Sequence, residues 1–311
     1  MRKSERFRLA PSRMTLGTVQ LGMPYGVANP TGQPSAEESC LMIGEALRLG
    51  INCLDTASGY GESERVIGQC LQGKRDRPAI VTKFALPREI EKGEVERAIV
   101  RSVEASLERL RVPVLDMAML HHAGDLLRQG SEIIRACRNL IRAGCIQAAG
   151  VSFGAEPARQ FEQIWEYASD PVFEGVQVPV NVLDQRLVHS EALRRLQDAD
   201  KIVFARSVFL QGLLLMNPDR VPAHLTEAGD ALQHLQRLSE REGMSVAQLA
   251  VSYVRDLPGV HSLVIGAESV DQIRRNSELI EGPPLQERIR SELQKRFEAM
   301  PDRLISPQLW Q

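Results

Sequence analysis

The stretch Leu54-Asp55-Thr56-Ala57-Ser58-Gly59-Tyr60-Gly61-Glu62-Ser63-Glu64 settles how the rest of the chain is read. It starts at the end of a short apolar run, 50–54, and leads into helical spacing at Glu64, Val66, Ile67 and Leu71, so it reads as strand, loop and helix. The loop holds an acid, a phenol and glycines and little else. In a parallel barrel the C-terminal strand ends share one rim, and an acid there and a Tyr in the following loop face the same mouth. Later strand ends add a Lys, in Ile80-Val81-Thr82-Lys83, and a His, in Met117-Ala118-Met119-Leu120-His121. Asp55, Tyr60, Lys83 and His121 delivered to one rim make a site rather than a core.

The same unit recurs outward from this stretch. Strands are expected at 13–19, 51–54, 79–83, 114–120, 146–152, 175–178, 201–205 and 262–265. Ser35 suits a helix N-cap, with Glu37 and Glu38 in the first turn and Gly50 as the stop. Further helices are expected at 94–110, 132–143, 156–168 and 190–196, and a longer insert with helical patterns at 230–241 and 245–255 separates the last two strands. Alternating strands and helices predict a parallel sheet, and apolar β-branched strands suit burial on both faces. Eight such units predict an α/β fold of the (β/α)8 TIM barrel type. A last helix near 285–300 and a tail at 304–311, expected near the active-site rim, fall outside the repeat. No linker or low-complexity stretch interrupts it, so 1–311 reads as a single domain.

The formal net charge of −2, with 25% charged residues, argues against a nucleic-acid or anionic-membrane partner. No run of about 18 apolar residues suggests a transmembrane helix. The charged segment 1–6 lacks the apolar core of a signal peptide, and a cytoplasmic protein is expected. Cys40, Cys53, Cys70, Cys137 and Cys145 are odd in number without a C-x-x-C pair, and read as reduced thiols. His121 and His122 are adjacent, so along a strand they splay apart; with no further His/Cys spacing, no metal site is expected.

The motifs resemble those of the aldo-keto reductases. The matching pieces are Leu16-Gly17-Thr18, D-T-A-S-G-Y-G-E-S-E at 55–64, V-T-K-F at 81–84 and L-D-M-A-M-L-H at 115–121. Then come G-V-S-F at 150–153, V-Q-V-P-V-N at 176–181, R-S-V-F-L-Q-G-L-L at 206–214, and V-I-G-A-E-S at 264–269 leading to Asn276. They fall in family order. The resemblance implies reduction of an aldehyde or ketone, such as a sugar, by hydride from a nicotinamide dinucleotide. Hydride arriving at a carbonyl carbon leaves charge on oxygen, so a proton donor must stand beside it. Tyr60 is assigned that role. A free phenol, with a pKa of about 10, is a reluctant donor, and the Lys83 ammonium beside it favours the phenolate. Asp55 would hold Lys83 charged, and His121 would orient the carbonyl oxygen.

Cofactor contacts are likewise implied by resemblance. Ser152 and Gln177 match the carboxamide clamp, with Phe153 where the family often has Asn, and Arg206 stands where many members place an aromatic under the nicotinamide. Gly17, Thr18 and Asp55 would line the nicotinamide side, and Ser207 to Gly212, Phe209 included, would wrap the pyrophosphate with backbone N–H groups. Gly266, Glu268, Gln272 and Asn276 would lie on the adenosine side, where a helix N-terminus can hold a phosphate. Family precedent favours NADP(H); Glu268 and Gln272, where bases are common, leave NAD(H) open. Tyr25, Phe84 and His122, with Met23 and Trp310, are candidate substrate contacts. A non-catalytic cofactor-binding regulatory subunit, or a barrel isomerase or lyase acting on sugars, are the alternatives. The sequence leaves the oligomeric state unassigned.

Overall fold

A computed structural model describes residues 9–310; the charged segment 1–6 lies outside the described residues. The elements run β1 (Met14–Gly17), α1 (Val19–Gly22), α2 (Ala36–Arg48), β2 (Cys53–Asp55), α3 (Ser63–Leu71), β3 (Ala79–Phe84), α4 (Val95–Leu110) and β4 (Leu115–Leu120). There follow α5 (Leu126–Arg142), β5 (Ile146–Ser152), α6 (Pro157–Ala168), β6 (Phe173–Pro179), α7 (Ala192–Asp198) and β7 (Ile202–Arg206). The insert carries α8 (Ala228–Glu242) and α9 (Val246–Arg255), and the chain ends with β8 (Ser262–Gly266), α10 (Val270–Glu281), α11 (Glu287–Arg296) and α12 (Asp302–Ile305). All eight strands are parallel, and β1 pairs with β8 to close the barrel, Met14 opposite Leu263 and Gly17 opposite Gly266. No helix among the described residues is long and apolar enough to cross a membrane.

Strand periodicity decides what reaches the interior. Cys53, Val81, Met117, Met119, Ala148 and Phe204 form an inner cluster, while Leu54, Ile80, Phe84, Ala118 and Leu120 face the helices. Two glycines make the inner layer possible. A Cβ at Gly175 would stand 2.4 Å from Met117 Sδ, and one at Gly150 would stand 2.8 Å from Met119 Cγ. Long flexible Met side chains thus fill the space that small residues on β5 and β6 leave.

Several elements differ from the sequence reading. β1 stops at Gly17, and Val19 already begins a helical turn. α5 begins at Leu126 rather than 132, with a non-helical break at Gln129. The break precedes Gly130, against which the Tyr167 ring packs so closely that a Cβ there would lie 2.5 Å from it. Ser35 does cap α2: its hydroxyl accepts from Glu38 N, and Glu38 reaches back to Ser35 N at 2.8 Å.

The cysteine reading is corrected. Cys40 on α2 and Cys70 on α3 form a disulfide, with their Cα atoms 5.0 Å apart. The two helices lie side by side outside the barrel, so residues 30 apart in sequence meet with no local motif to announce it. Cys53, Cys137 and Cys145 are free, and burial pushes the Cys53 and Cys137 thiols up to about 12, which makes them poor nucleophiles.

Candidate active site

Asp55 and Lys83 project inward from the C-terminal ends of β2 and β3, and both are almost wholly buried. Lys83 Nζ donates to Asp55 Oδ1 at 2.6 Å and to the Thr56 carbonyl at 2.9 Å. Burial pulls the Lys83 pKa down, but the Asp55 carboxylate and the Tyr60 phenol more than offset it and hold it above the usual lysine value. Nζ lies 5.0 Å from the centre of the Tyr60 ring. Gln177 Nε2, from β6, donates to the same Asp55 oxygen at 2.7 Å.

The Tyr60 loop is held from behind by hydroxyls. Thr18 Oγ1 donates to the Asp55 carbonyl at 2.8 Å, Ser63 Oγ donates to the Thr18 carbonyl at 2.8 Å, and Thr56 and Ser63 hydroxyls meet at 3.0 Å. Gly22 packs directly under the loop: a Cβ there would come within 1.9 Å of the Tyr60 carbonyl and 2.4 Å of Ser63 N. Gly22→Ala is therefore expected to cost about 1–3 kcal/mol of stability, the usual range for overpacking a tight site. A urea titration reads this directly, and an unchanged midpoint would show slack under the loop.

The imidazoles behave differently from the expectation that they splay apart. β4 ends at Leu120, so His121 and His122 both lie beyond the pleat. Their rings stack, with centroids 4.8 Å apart and planes within 5°, and both face the cavity. Tyr60 meets the His121 ring edge-on at 6.0 Å. Burial first, then the nearby Lys83, His122 and Arg206, pull the His121 pKa down to about 3. A base depressed in the folded state contributes stability above the ordinary His range, and loses it as pH falls toward about 3. His121 is thus a neutral donor at working pH. An NMR titration of the imidazole carbons should show no His121 inflection between about pH 5 and 8, where a free His titrates; an inflection there would refute the neutral assignment.

These groups stand at one end of a cavity of about 940 Å³ along the C-terminal rim. Its middle is lined by Gly17, Thr18, Ser152, Gln177 and Arg206. Ser152 and Gln177 sit side by side in register on β5 and β6. Gln177 Oε1 is buried with no partner among the described residues, an acceptor aimed at whatever fills the cavity. Arg206 donates to the Phe153 carbonyl at 2.7 Å and to Ser207 Oγ at 3.1 Å, and has no carboxylate partner among the described residues. The far end is lined by Gly266, Glu268, Gln272, Arg275 and Asn276.

The loop after β7 is conformationally costly. Ser207, Leu210 and Gln211 all hold positive φ, at 65°, 48° and 54°, beside Gly212 at 92°. The N–H groups of Leu210 and Gly212 bond within the loop, to Ser207 and Phe209 carbonyls, so they are not open to a ligand as the sequence reading had them. Ser207, Phe209 and Gly212 do line the cavity. The Gln211 carbonyl accepts from Val27 N at 3.2 Å, and a Cβ on Gly212 would lie 2.7 Å from the Ala28 Cβ. The loops after β1 and β7 therefore touch across the end of β8, which lies between those strands, and form a bridge over the cavity.

Not every expected contact reaches the cavity. Phe84 is buried in the outer core, because Lys83 faces inward and its strand neighbour must face the helices. Met23 lies outside the lining, and Trp310 donates its indole N–H to the Arg303 carbonyl instead. Tyr25 and His122 do line it. Gln20, Gln160 and Gln308 also line it, and sequence reasoning missed all three. They come from a short helix, an outer helix and the tail, where no strand-end rule points.

A parallel barrel carrying a buried Lys–Asp pair beside a Tyr and a neutral His, at one end of a long cleft, is the frame of a barrel oxidoreductase. The model of the aldo/keto reductase family matches residues 13–295, and the chain belongs to that family. It is 28% identical over 292 residues to the aldo-keto reductase YhdN of Bacillus subtilis, covering 86% of this chain and 85% of that protein. It is 27% identical over 298 residues to the NADH-specific methylglyoxal reductase of Escherichia coli, covering 85% and 88%. Among solved structures, glycerol dehydrogenase AKR11B4 of Gluconobacter oxydans superposes with a TM-score of 0.74 at 26% identity, covering 96% and 95%.

Proposed function

We propose that this chain reduces a small aldehyde or ketone to the alcohol, with a nicotinamide dinucleotide in the cavity. The observation that carries the proposal is the Lys83 ammonium, buried on Asp55 and 5.0 Å from the Tyr60 ring, facing a neutral His121. The cavity fits the cofactor in one specific respect: Gln177 Oε1, beside Ser152 and with no partner among the described residues, supplies the acceptor that a carboxamide N–H needs. When bound, the dinucleotide supplies the hydride. Tyr60 gives its phenolic proton to the carbonyl oxygen as that oxygen gains charge. Lys83 stabilises the phenolate left behind, and Asp55 with Gln177 keeps the ammonium in place. His121, neutral and stacked on His122, donates to the same oxygen and fixes its approach. Arg206, braced on the Phe153 carbonyl, would offer its guanidinium plane to the cofactor ring.

Small oxygenated substrates suit the Gln160, His122 and Gln308 lining. The relatives named for methylglyoxal and glycerol make those two compounds the first to try. The test follows nicotinamide absorbance with methylglyoxal, glyceraldehyde and other aldehydes in one direction, and with glycerol in the other. Cofactor binding without turnover of any of them would leave a regulatory subunit. Absence of dinucleotide binding would leave a barrel isomerase or lyase.

A further inference from the structure

The end of the cavity farthest from Tyr60 is rich in acceptors and poor in free cations. A dinucleotide whose reacting carbon lay at Tyr60 and which filled the cavity would bring its distal nucleoside to the lining residues at the start of α10. Glu268 lines this end, half-buried, with no cation partner among the described residues. Gln272 folds back over it: its Oε1 accepts from Glu268 N at 2.8 Å, and its Nε2 faces the carboxylate at 3.4 Å. The carboxylate is therefore held in position at the wall rather than left to swing into solvent.

Two further observations point the same way. Gln20 Oε1, on the neighbouring turn, is buried with no partner among the described residues, so a second acceptor faces the same end. Gln20 also packs over position 266: a Cβ on Gly266 would stand 2.5 Å from its amide oxygen and 2.6 Å from its amide nitrogen, so a side chain there would have to displace the Gln20 amide. A Lys or Arg cannot be accommodated there without moving Gln20. Of the nearby bases, Arg274 is turned away, donating to Glu45 at 2.7 Å and to Asp271 at 3.2 Å. Arg275 is exposed at the edge and, among the described residues, is the one cation lining this end.

We propose that this end reads an unphosphorylated ribose: Glu268, steadied by Gln272, accepts from the 2′- and 3′-hydroxyls of the distal nucleoside, so the chain prefers NAD(H) to NADP(H). This rests on the dinucleotide reading given above, and it reverses the family-based expectation of NADP(H). A diol supplies two donors, one to a carboxylate whose donor so far is the long Gln272 contact and one to an acceptor, Gln20 Oε1, with none among the described residues. A 2′-phosphate supplies none and brings charge against a fixed carboxylate.

Equilibrium titration of the purified chain with NADH and with NADPH, without any carbonyl substrate, tests the proposal by calorimetry or by coenzyme fluorescence. The wild type should bind NADH tighter by roughly tenfold or more, where tenfold corresponds to about 1.4 kcal/mol. Glu268→Gln should shrink that ratio, Glu268→Arg should invert it, and Arg275→Ala should weaken both coenzymes alike. NADPH bound more tightly by the wild type, with Arg275→Ala losing NADPH selectively, would overturn the ribose assignment and leave the reductase reading standing. Binding of neither coenzyme would overturn both.

Discussion

Tyr60→Phe is expected to lower kcat by about 10²- to 10⁴-fold while leaving the dissociation constant of the dinucleotide within about twofold. The substitution removes one oxygen and nothing that packs. The ring can keep its edge contact with His121 and its place above Lys83, because both are contacts of the ring. The loop is fixed by backbone and hydroxyl bonds that do not involve the phenol, among them Ser63 N to the Tyr60 carbonyl at 3.0 Å. A fall in kcat without a fall in affinity or melting temperature therefore isolates proton donation. Full turnover in the variant would take Tyr60 out of the mechanism.

Lys83→Met should produce the second large change, and in two readouts that separate chemistry from architecture. Met matches the length of the Lys stem but leaves Asp55 buried with Gln177 as its remaining side-chain partner. Breaking a buried pair from one side costs about 3–5 kcal/mol, so the denaturation midpoint should fall steeply. In the wild type the Lys83 pKa is held above the usual value, so the pair's contribution is present at neutral pH and is lost as pH rises through that elevated value. In the rate profile, the ionisation governing kcat of reduction should move to higher pH, since the phenolate loses its cation. A destabilised variant with an unshifted profile would make Lys83 a structural residue only.

The parts of this site that were legible in the sequence are those set by strand periodicity. Asp55, Lys83 and His121 each follow a short apolar run, and the rim of a parallel barrel gathers such positions whatever the loops do. The same rule, carried one residue further, places Phe84 outside, because alternation cannot turn both Lys83 and Phe84 inward. His121 and His122 escaped it for the opposite reason: the strand has already ended, so both rings are free to stack into the cavity. Closure of the barrel depends on β1 meeting β8 across almost the whole chain, which no local pattern encodes. The Cys40–Cys70 bond is a similar case, decided by which helices become neighbours. Gln20, Gln160 and Gln308 reach the cavity from three unrelated places, two helices and the tail, and a polar Gln there carries no signal that it faces a site rather than solvent.

The bridge between the loops after β1 and β7 also sets an order of traffic. Residues on both sides of the Val27–Gln211 contact, Gly26, Ala28 and Gln211, line the cavity, so on the proposed reading a molecule long enough to reach from Tyr60 to Glu268 would have to pass that contact, whereas a small carbonyl compound would need only the end lined by Tyr25 and His122. On the proposed reading the two ligands therefore leave by different doors. The small product departs with the bridge intact, and the long one waits until the Val27–Gln211 contact parts and a loop with three side chains in left-handed backbone gives way. On that reading the coenzyme would be first in and last out because of how the chain is threaded beside it, however tightly or weakly its ribose is held.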